Sequence, residues 1–190
     1  MALCQNSCAQ NLLSHTLNSC SSTRLGDIRS IGFILCKEVY DQIAADPENP
    51  ASWEDITIPA NNVGNANGTF INNIQVERTS EIVFTERFVA DGTAEQKSAT
   101  GYTLTLTDAN VSCLNHSFYD SLDGQNAYIV LFYNDGRMEI SEMPFIINTS
   151  MPAATKGEVQ RYVVEMQKNF PIGKSWLCLE NAPVLPGINF

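Results

Sequence analysis

The groups in this chain that could do chemistry are six cysteines, two histidines and a surplus of acids. Cys4, Cys8, His15 and Cys20 lie close together near the start. Thiolates and imidazole are the usual ligands of zinc, but this spacing matches no tight two-residue knuckle. The simpler reading is small, soft, buried side chains. Asp120, Asp123 and Asn126 could gather around calcium. A carboxylate pair for hydrolysis could come from Glu54, Asp55, Asp108, Asp120, Asp123, Asp135, Glu139 or Glu142. Nearly all of these fall in turns or on the polar face of a strand, where solvation accounts for them. His116 sits at the start of a predicted helix, where a polar residue caps or faces water. Pro171-Ile-Gly-Lys-Ser175 contains Gly-Lys-Ser, but the upstream glycine of a phosphate-binding loop is missing and the residues after it read as extended. No Gly-x-Ser-x-Gly elbow and no His-Glu-x-x-His occurs in the sequence. The expectation is therefore no catalytic residue, no cofactor and no metal.

The elements that must position any site read as strands. Apolar residues make up 44% of 190, enough for a core in one domain with arms. Nine Phe and six Tyr, with many Val, Ile and Thr, favour β-structure. Tyr102, Leu104 and Leu106 alternate with Thr103, Thr105 and Thr107, a period of two. Tyr128-Ile-Val-Leu-Phe-Tyr133 is apolar on both faces and stops at the turn signal Asn134-Asp135-Gly136. Arg137–Ile140 resumes as a strand. Tyr162, Val164 and Met166 alternate with Arg161, Val163 and Glu165. A net charge of −10 disfavours tight binding to phosphate backbones. No apolar run is long enough for a membrane helix. The N-terminus lacks the basic and apolar regions of a signal peptide, so reduced cysteines are expected.

Residues 1–28 are rich in Ser, Asn, Cys and Gln and read as an arm, which a neighbouring subunit could hold. A first strand begins at residue 29 and carries Cys36 into the core; it continues to residue 37 or as far as 40. Glu38 to Ala45 could alternatively form a short helical turn. Asp46-Pro-Glu-Asn-Pro50 is a turn cluster, followed by Trp53, Ile56, Ile58 and Pro59. Residues 61–68 read as a loop. Ile71 to Ala90 reads as a long strand bent near Arg78-Thr79-Ser80. Residues 81–107 form a long hairpin with the polar tip Ala90–Lys97, part of which projects from the domain. A helix is expected at about 115–123, capped by Asn115 or Ser117, with Phe118 and Leu122 on one face and Asp123-Gly124 ending it. Residues 148–158 read as a loop. The central domain spans 29–167. The proline-rich segment 168–190 is an extended tail that cannot be a central strand.

This order of elements resembles the tail-tube-like structural proteins of tailed bacteriophages: major tail, tail hub and ring proteins. The residues that carry the resemblance are the first strand, the insertion Asp46-Pro-Glu-Asn-Pro-Ala-Ser-Trp53, the long hairpin, the helix, Tyr128–Gly136 and Gly157–Glu165. It covers about residues 29–167 and lies in pattern. It implies a mainly β fold, a tail-tube-like β-sandwich or small barrel with one flanking helix, a protruding hairpin and extended termini. It implies a non-enzymatic virion subunit, assembled in the host cytoplasm into a sixfold or twelvefold homo-oligomeric ring with other virion proteins. DNA would pass through the lumen without sequence-specific binding, and there is no membrane partner. The subunit-interface candidates are Phe88, Val89, Ala90, Asp91, Gly92, Glu95 and Lys97. An acidic wall would let DNA slide past.

Two other classes remain at this stage. A carbohydrate-binding or adhesin-like β-sandwich would place Trp53, Tyr119 or Trp176 on an exposed platform, although core packing is the preferred reading of each. A small hydrolase has no motif to support it.

Overall fold

The structure is a computed structural model that describes residues 28–56, 67–89, 92–153, 156 and 159–185. The arm candidates Cys4, Cys8, His15 and Cys20, the residues Ile58 and Pro59, and most of the 61–68 loop lie outside the described residues.

Mainly β structure is what the alternating pattern builds. In chain order the elements are β1 (Ile28–Ile34), α1 (Lys37–Ala45), a 3-10 helix (Pro50–Ile56), β2 (Gly68–Val89), β3 (Gly92–Asp108), α2 (Cys113–Leu122), β4 (Asn126–Tyr133), β5 (Met138–Ser141), β6 (Phe145–Ser150), β7 (Tyr162–Pro171) and β8 (Trp176–Leu179). Strands β1, β2, β3, β7, β6 and β4 pair antiparallel in that order, and β4 pairs back to β1. That pairing closes a six-stranded barrel. β5 and β8 extend from it beyond β4.

The period of two sorts the strands. Leu104 and Leu106 of β3 and Val164 and Met166 of β7 are fully buried in the barrel core, while their neighbours Thr103, Thr105 and Glu165 face outward. β4 is buried on both faces for a different reason on each. Ile129, Leu131 and Tyr133 enter the barrel core. Val130 and Phe132 lie under a second cluster formed with Val39 and Ile43 of α1, and with Trp53 and Ile56 of the 3-10 helix. This outer layer explains the uninterrupted apolar run.

β4 shares one edge between two partners. Val130, Leu131 and Phe132 pair with β5, and Asn126 and Ala127 pair with β6. Ile129 falls in the gap, and its N–H donates to the hydroxyl of Ser141 at 2.7 Å. Ser141 is fully buried, so water cannot replace that bond.

Several boundaries differ from expectation, each for a local reason. β1 stops at Ile34 because the N–H groups of Leu35 and Cys36 both turn to the carbonyl of Asn67, at 2.8 and 3.4 Å. Cys36 is therefore half-buried at the start of α1, where its thiol donates to Glu38 at 2.9 Å, and it is not a core strand residue. The flanking helix is not the sole one, since α1 and the 3-10 helix cover the barrel's outside. α2 starts at Cys113 with Ser112 as its cap, which accepts the N–H of Asn115 at 3.1 Å. Asn115 is thus the capped residue and Ser117 lies within the helix. Gly124 and Gly136 end helix and hairpin with φ of 73° and 83°, as their turns require. β6 continues through Ser150 before the loop starts. The segment from 168 is partly strand: β7 runs to Pro171, and among the described strands β8 pairs with β5 alone, on the edge where proline-flanked chain is tolerated.

Ser141→Ala removes the acceptor and leaves a buried N–H orphaned. The expected cost is about 1–3 kcal/mol, measured as a lower urea midpoint with an unchanged slope.

Candidate functional site

The hairpin β2–β3 is longer than the barrel that carries it. β1 covers β2 from Gly68 to Val76, and β7 covers β3 from Ala99 to Asp108. Beyond Val76 no described strand pairs with the outer edge of β2. Before Ala99 none pairs with that of β3. From Phe84↔Lys97 to Val89↔Gly92 the two strands hold only each other among the described residues. That ribbon reaches roughly 20 Å past its last barrel contact, at about 3.3 Å per residue. A β-bulge sits at its base. Val83 faces Ala99, Phe84 faces Lys97, and Ser98 is the extra residue. The Ser98 hydroxyl donates to the carbonyl of Val83 at 3.1 Å, a partner for a group the bulge takes out of the regular ladder. A bend is expected at Arg78–Ser80; the β2–β3 register is regular there and shifts here.

The ribbon gathers the expected contact residues. Phe88, Val89, Gly92 and Glu95 belong to its paired backbone, and Lys97 is exposed beside Phe84. Ala90 and Asp91 lie outside the described residues. The expected polar tip is largely paired strand, because β3 begins at Gly92. Sequence reading missed Ile82 and Phe84, which are 56% and 54% exposed. They continue the inward series Ile74, Val76, Arg78 and Ser80 beyond the point where the barrel can cover it. The signal was present as an unbroken period of two.

A second surface is the outer face of β2, β3, β7 and β6. α1 and the 3-10 helix pack over β1, β4 and the start of β2 around Phe70, and α2 closes one end, so this face is open from Gln75 of β2 onward among the described residues. Its outward positions include Glu77, Glu81, Thr103, Thr105, Glu165, Gln167 and Asn169. From Gln75 to Val83, Gly101 to Thr107, Val163 to Pro171 and Ile146 to Ser150, no outward position is Lys or Arg.

The barrel's two ends are closed differently. At one end Tyr119 of α2 stacks on Tyr162 at 4.5 Å and donates to Asp108 at 2.7 Å. At the other, Tyr102, Phe145, Phe170 and Trp176 cluster with ring separations of 4.9 to 5.8 Å. Beside them Arg78 pairs with Glu139, which also accepts the hydroxyl of Tyr133 at 3.0 Å. The guanidinium lies 5.3 Å from the centre of the Trp176 ring. Trp176 Nε1 is buried with no hydrogen-bond partner among the described residues, so packing and the guanidinium hold the ring. Glu139 was read as a solvated strand acid; it is buried, on the inward face opposite Leu131. Burial pushes the Cys178 thiol up, and the Glu139 carboxylate adds to it, which leaves a poor nucleophile.

The other candidates are dispersed. His116 is exposed on α2, 3.5 Å from Asp120. Asp123 accepts the N–H of Thr149 at 2.7 Å. Among the described residues no three of His, Cys, Asp and Glu form a group that could hold a metal. Pro171–Ser175 is the turn between β7 and β8: Lys174 donates back to Pro171 at 3.0 Å, and Ser175 N–H donates to Glu142. Trp53 and Tyr119 are 1% and 2% exposed. Burying a large aromatic is worth about 4–6 kcal/mol, so neither is a free platform for a sugar. Trp176 is half-covered within the aromatic cluster. No family model matches the chain, and no curated protein matches it.

Burial raises the phenols of Tyr119 and Tyr133, with Asp108 and Glu139 adding in the same direction; Arg78 opposes the shift at Tyr133. Each phenol then stays protonated in the fold above the value of about 10 at which the unfolded chain ionises. Their contribution is whole below that value and is lost progressively as pH rises from there toward the raised value in the fold. Stability should fall from about pH 10 upward, by up to ~1.4 kcal/mol per pH unit for each tyrosine. Urea midpoints across that range check this, and Tyr119→Phe should shed one tyrosine's share of the slope.

Proposed function

We propose that this chain is a non-enzymatic structural subunit of a phage virion, a tail or ring component that oligomerises into a ring around the DNA channel. The observation that carries the reading is the ribbon of β2 and β3, with edges that no described strand covers and with Ile82 and Phe84 exposed at its base. Open edges and exposed apolar groups on a free monomer invite uncontrolled pairing. In a closed ring each edge meets the next copy through main-chain hydrogen bonds, and the hazard ends. The order of strands, insertion, hairpin and helix supports the virion assignment through its likeness to tail-tube-like proteins.

The bare face of β2, β3, β7 and β6 supports the channel. Glu77, Glu81 and Glu165 lie on it without a neighbouring cation at any of the outward positions named above. A wall of that sign repels phosphates, so DNA slides past without adhering. This face is the one assigned to the lumen. The host cytoplasm is the site of assembly and the virion is the final location.

The ladder supplies a clean truncation. Residues 84–98 are replaced by Asn-Gly, so that Val83 and Ala99, which face each other, flank a two-residue turn. The trimmed protein should stay folded, with a thermal midpoint within about 4 °C of the parent. It should remain monomeric at concentrations where the parent forms rings by native mass spectrometry. Normal rings from the trimmed protein would refute the assignment. In assembled particles, Glu77→Lys with Glu81→Lys and Glu165→Lys should slow DNA release, most strongly at low salt. Equal release rates would remove this face from the channel wall.

A further inference from the structure

We infer that the Arg78–Glu139 pair is the fixed joint that sets the angle at which the β2–β3 ribbon leaves the barrel, with Arg78 as its positioning residue. The inference rests on the reading of the ribbon as the assembly contact and adds what aims it.

Location carries the argument first. The last β1 partner of β2 is Val76, which faces Ile28. Arg78 is the next inward-facing residue. On the other side β3 keeps its β7 partner as far as Ala99, opposite Val83. Between Glu77 and Val83 the ribbon is therefore held on one flank only by described strands. A two-stranded ribbon held on one flank can twist and swing.

The Arg78 side chain supplies the missing flank. It crosses the barrel mouth to Glu139 on β5 and lies against Trp176 on β8. Neither strand pairs with β2 or β3. The tie thus joins the stretch of β2 that leads to the ribbon's base at Val83 to the barrel extension, which no ladder among the described strands does. Glu139 is itself fixed by the Tyr133 hydroxyl of β4. A planar guanidinium placed against a ring and paired with a carboxylate has little freedom, whereas an ammonium in its place would pivot.

Energetics point the same way. The Arg78 and Glu139 side chains are only 29% and 11% exposed. At such burial the lost hydration of two charges cancels much of their attraction, and apolar replacements are often as stable. The mouth already has an aromatic cluster that Met or Leu could extend. A charged pair here adds little to stability and much to a unique geometry, the use for which buried polar contacts are best attested.

The test measures ribbon orientation in the full-length monomer. Spin labels go on non-canonical keto residues at Thr85 and Asn134, both exposed, which leaves the cysteines untouched. The parent should give one narrow distance distribution. Arg78→Met with Glu139→Gln, which neutralises both partners together, should broaden it about twofold or more. It should also raise the concentration needed for assembly about tenfold, since the contact is no longer preorganised. Arg78→Lys keeps the charge and serves if the double variant folds poorly; it too should broaden the distribution. Unchanged widths in both variants overturn the joint, even if rings form normally. If widths respond but the parent never assembles, the ring reading falls and the joint stands.

Discussion

Closure of the barrel depends on β1, a strand of seven residues that must pair along both edges. Its partner β2 has 22. A closed barrel has one height around its circumference, so the surplus length of β2 and β3 has nowhere to go but outward. The same closure places Ile31 and Phe33 at the centre of the core. It also fixes β4 as a strand covered on both faces, with the barrel behind it and α1 in front. The ribbon, the double burial of β4 and the need for an outer helical layer all follow from one short strand bridging two longer ones.

Stability and exposure are divided accordingly. The large buried side chains lie in two clusters, one inside the barrel and one beneath α1 and the 3-10 helix. Both clusters are distant from the ribbon's end. The ribbon is held by its own ladder, the bulge at Ser98 and the contacts at the mouth. An isolated two-stranded ribbon is marginal in water, so its order depends on how firmly its base is gripped. That is why polar contacts near Arg78 matter more for shape than for the total free energy of folding. The outward threonines of β3 complete the division, since they keep strand propensity high without adding another apolar surface.

Much of this was legible in the sequence because barrels obey a period of two. Leu104, Leu106, Val164 and Met166 were assigned to one face from spacing alone, and Asn134-Asp135-Gly136 marked its hairpin through turn chemistry. Three features were not legible. Glu139 sits in an alternating strand, and its charge suggested water; only the meeting of Arg78, Tyr133 and Trp176 from three other strands makes burial tolerable, and no local pattern records such a meeting. The end of β1 was hidden, though a helical turn at Glu38–Ala45 was offered, because Ile31–Cys36 reads as one apolar run and the stop at Ile34 comes from Asn67, which is distant in sequence. The extent of the ribbon could not be read from β2 and β3 themselves, since it is set by the shorter strands beside them. The exposure of Ile82 and Phe84 follows from that same mismatch.

The bulge at Ser98 acts as a phase shift. One additional residue on β3 exchanges which of its side chains accompany those of β2 from there to the ribbon's end. With it, Lys97 stands beside Phe84; in an uninterrupted ladder Ser98 would take that place and the cation would belong to the reverse side. Deleting Ser98 would therefore keep Lys97 opposite Phe84 and every distal pair in place, whereas pairing Ser98 into the ladder would transpose the distal β3 side chains between the ribbon's two sides.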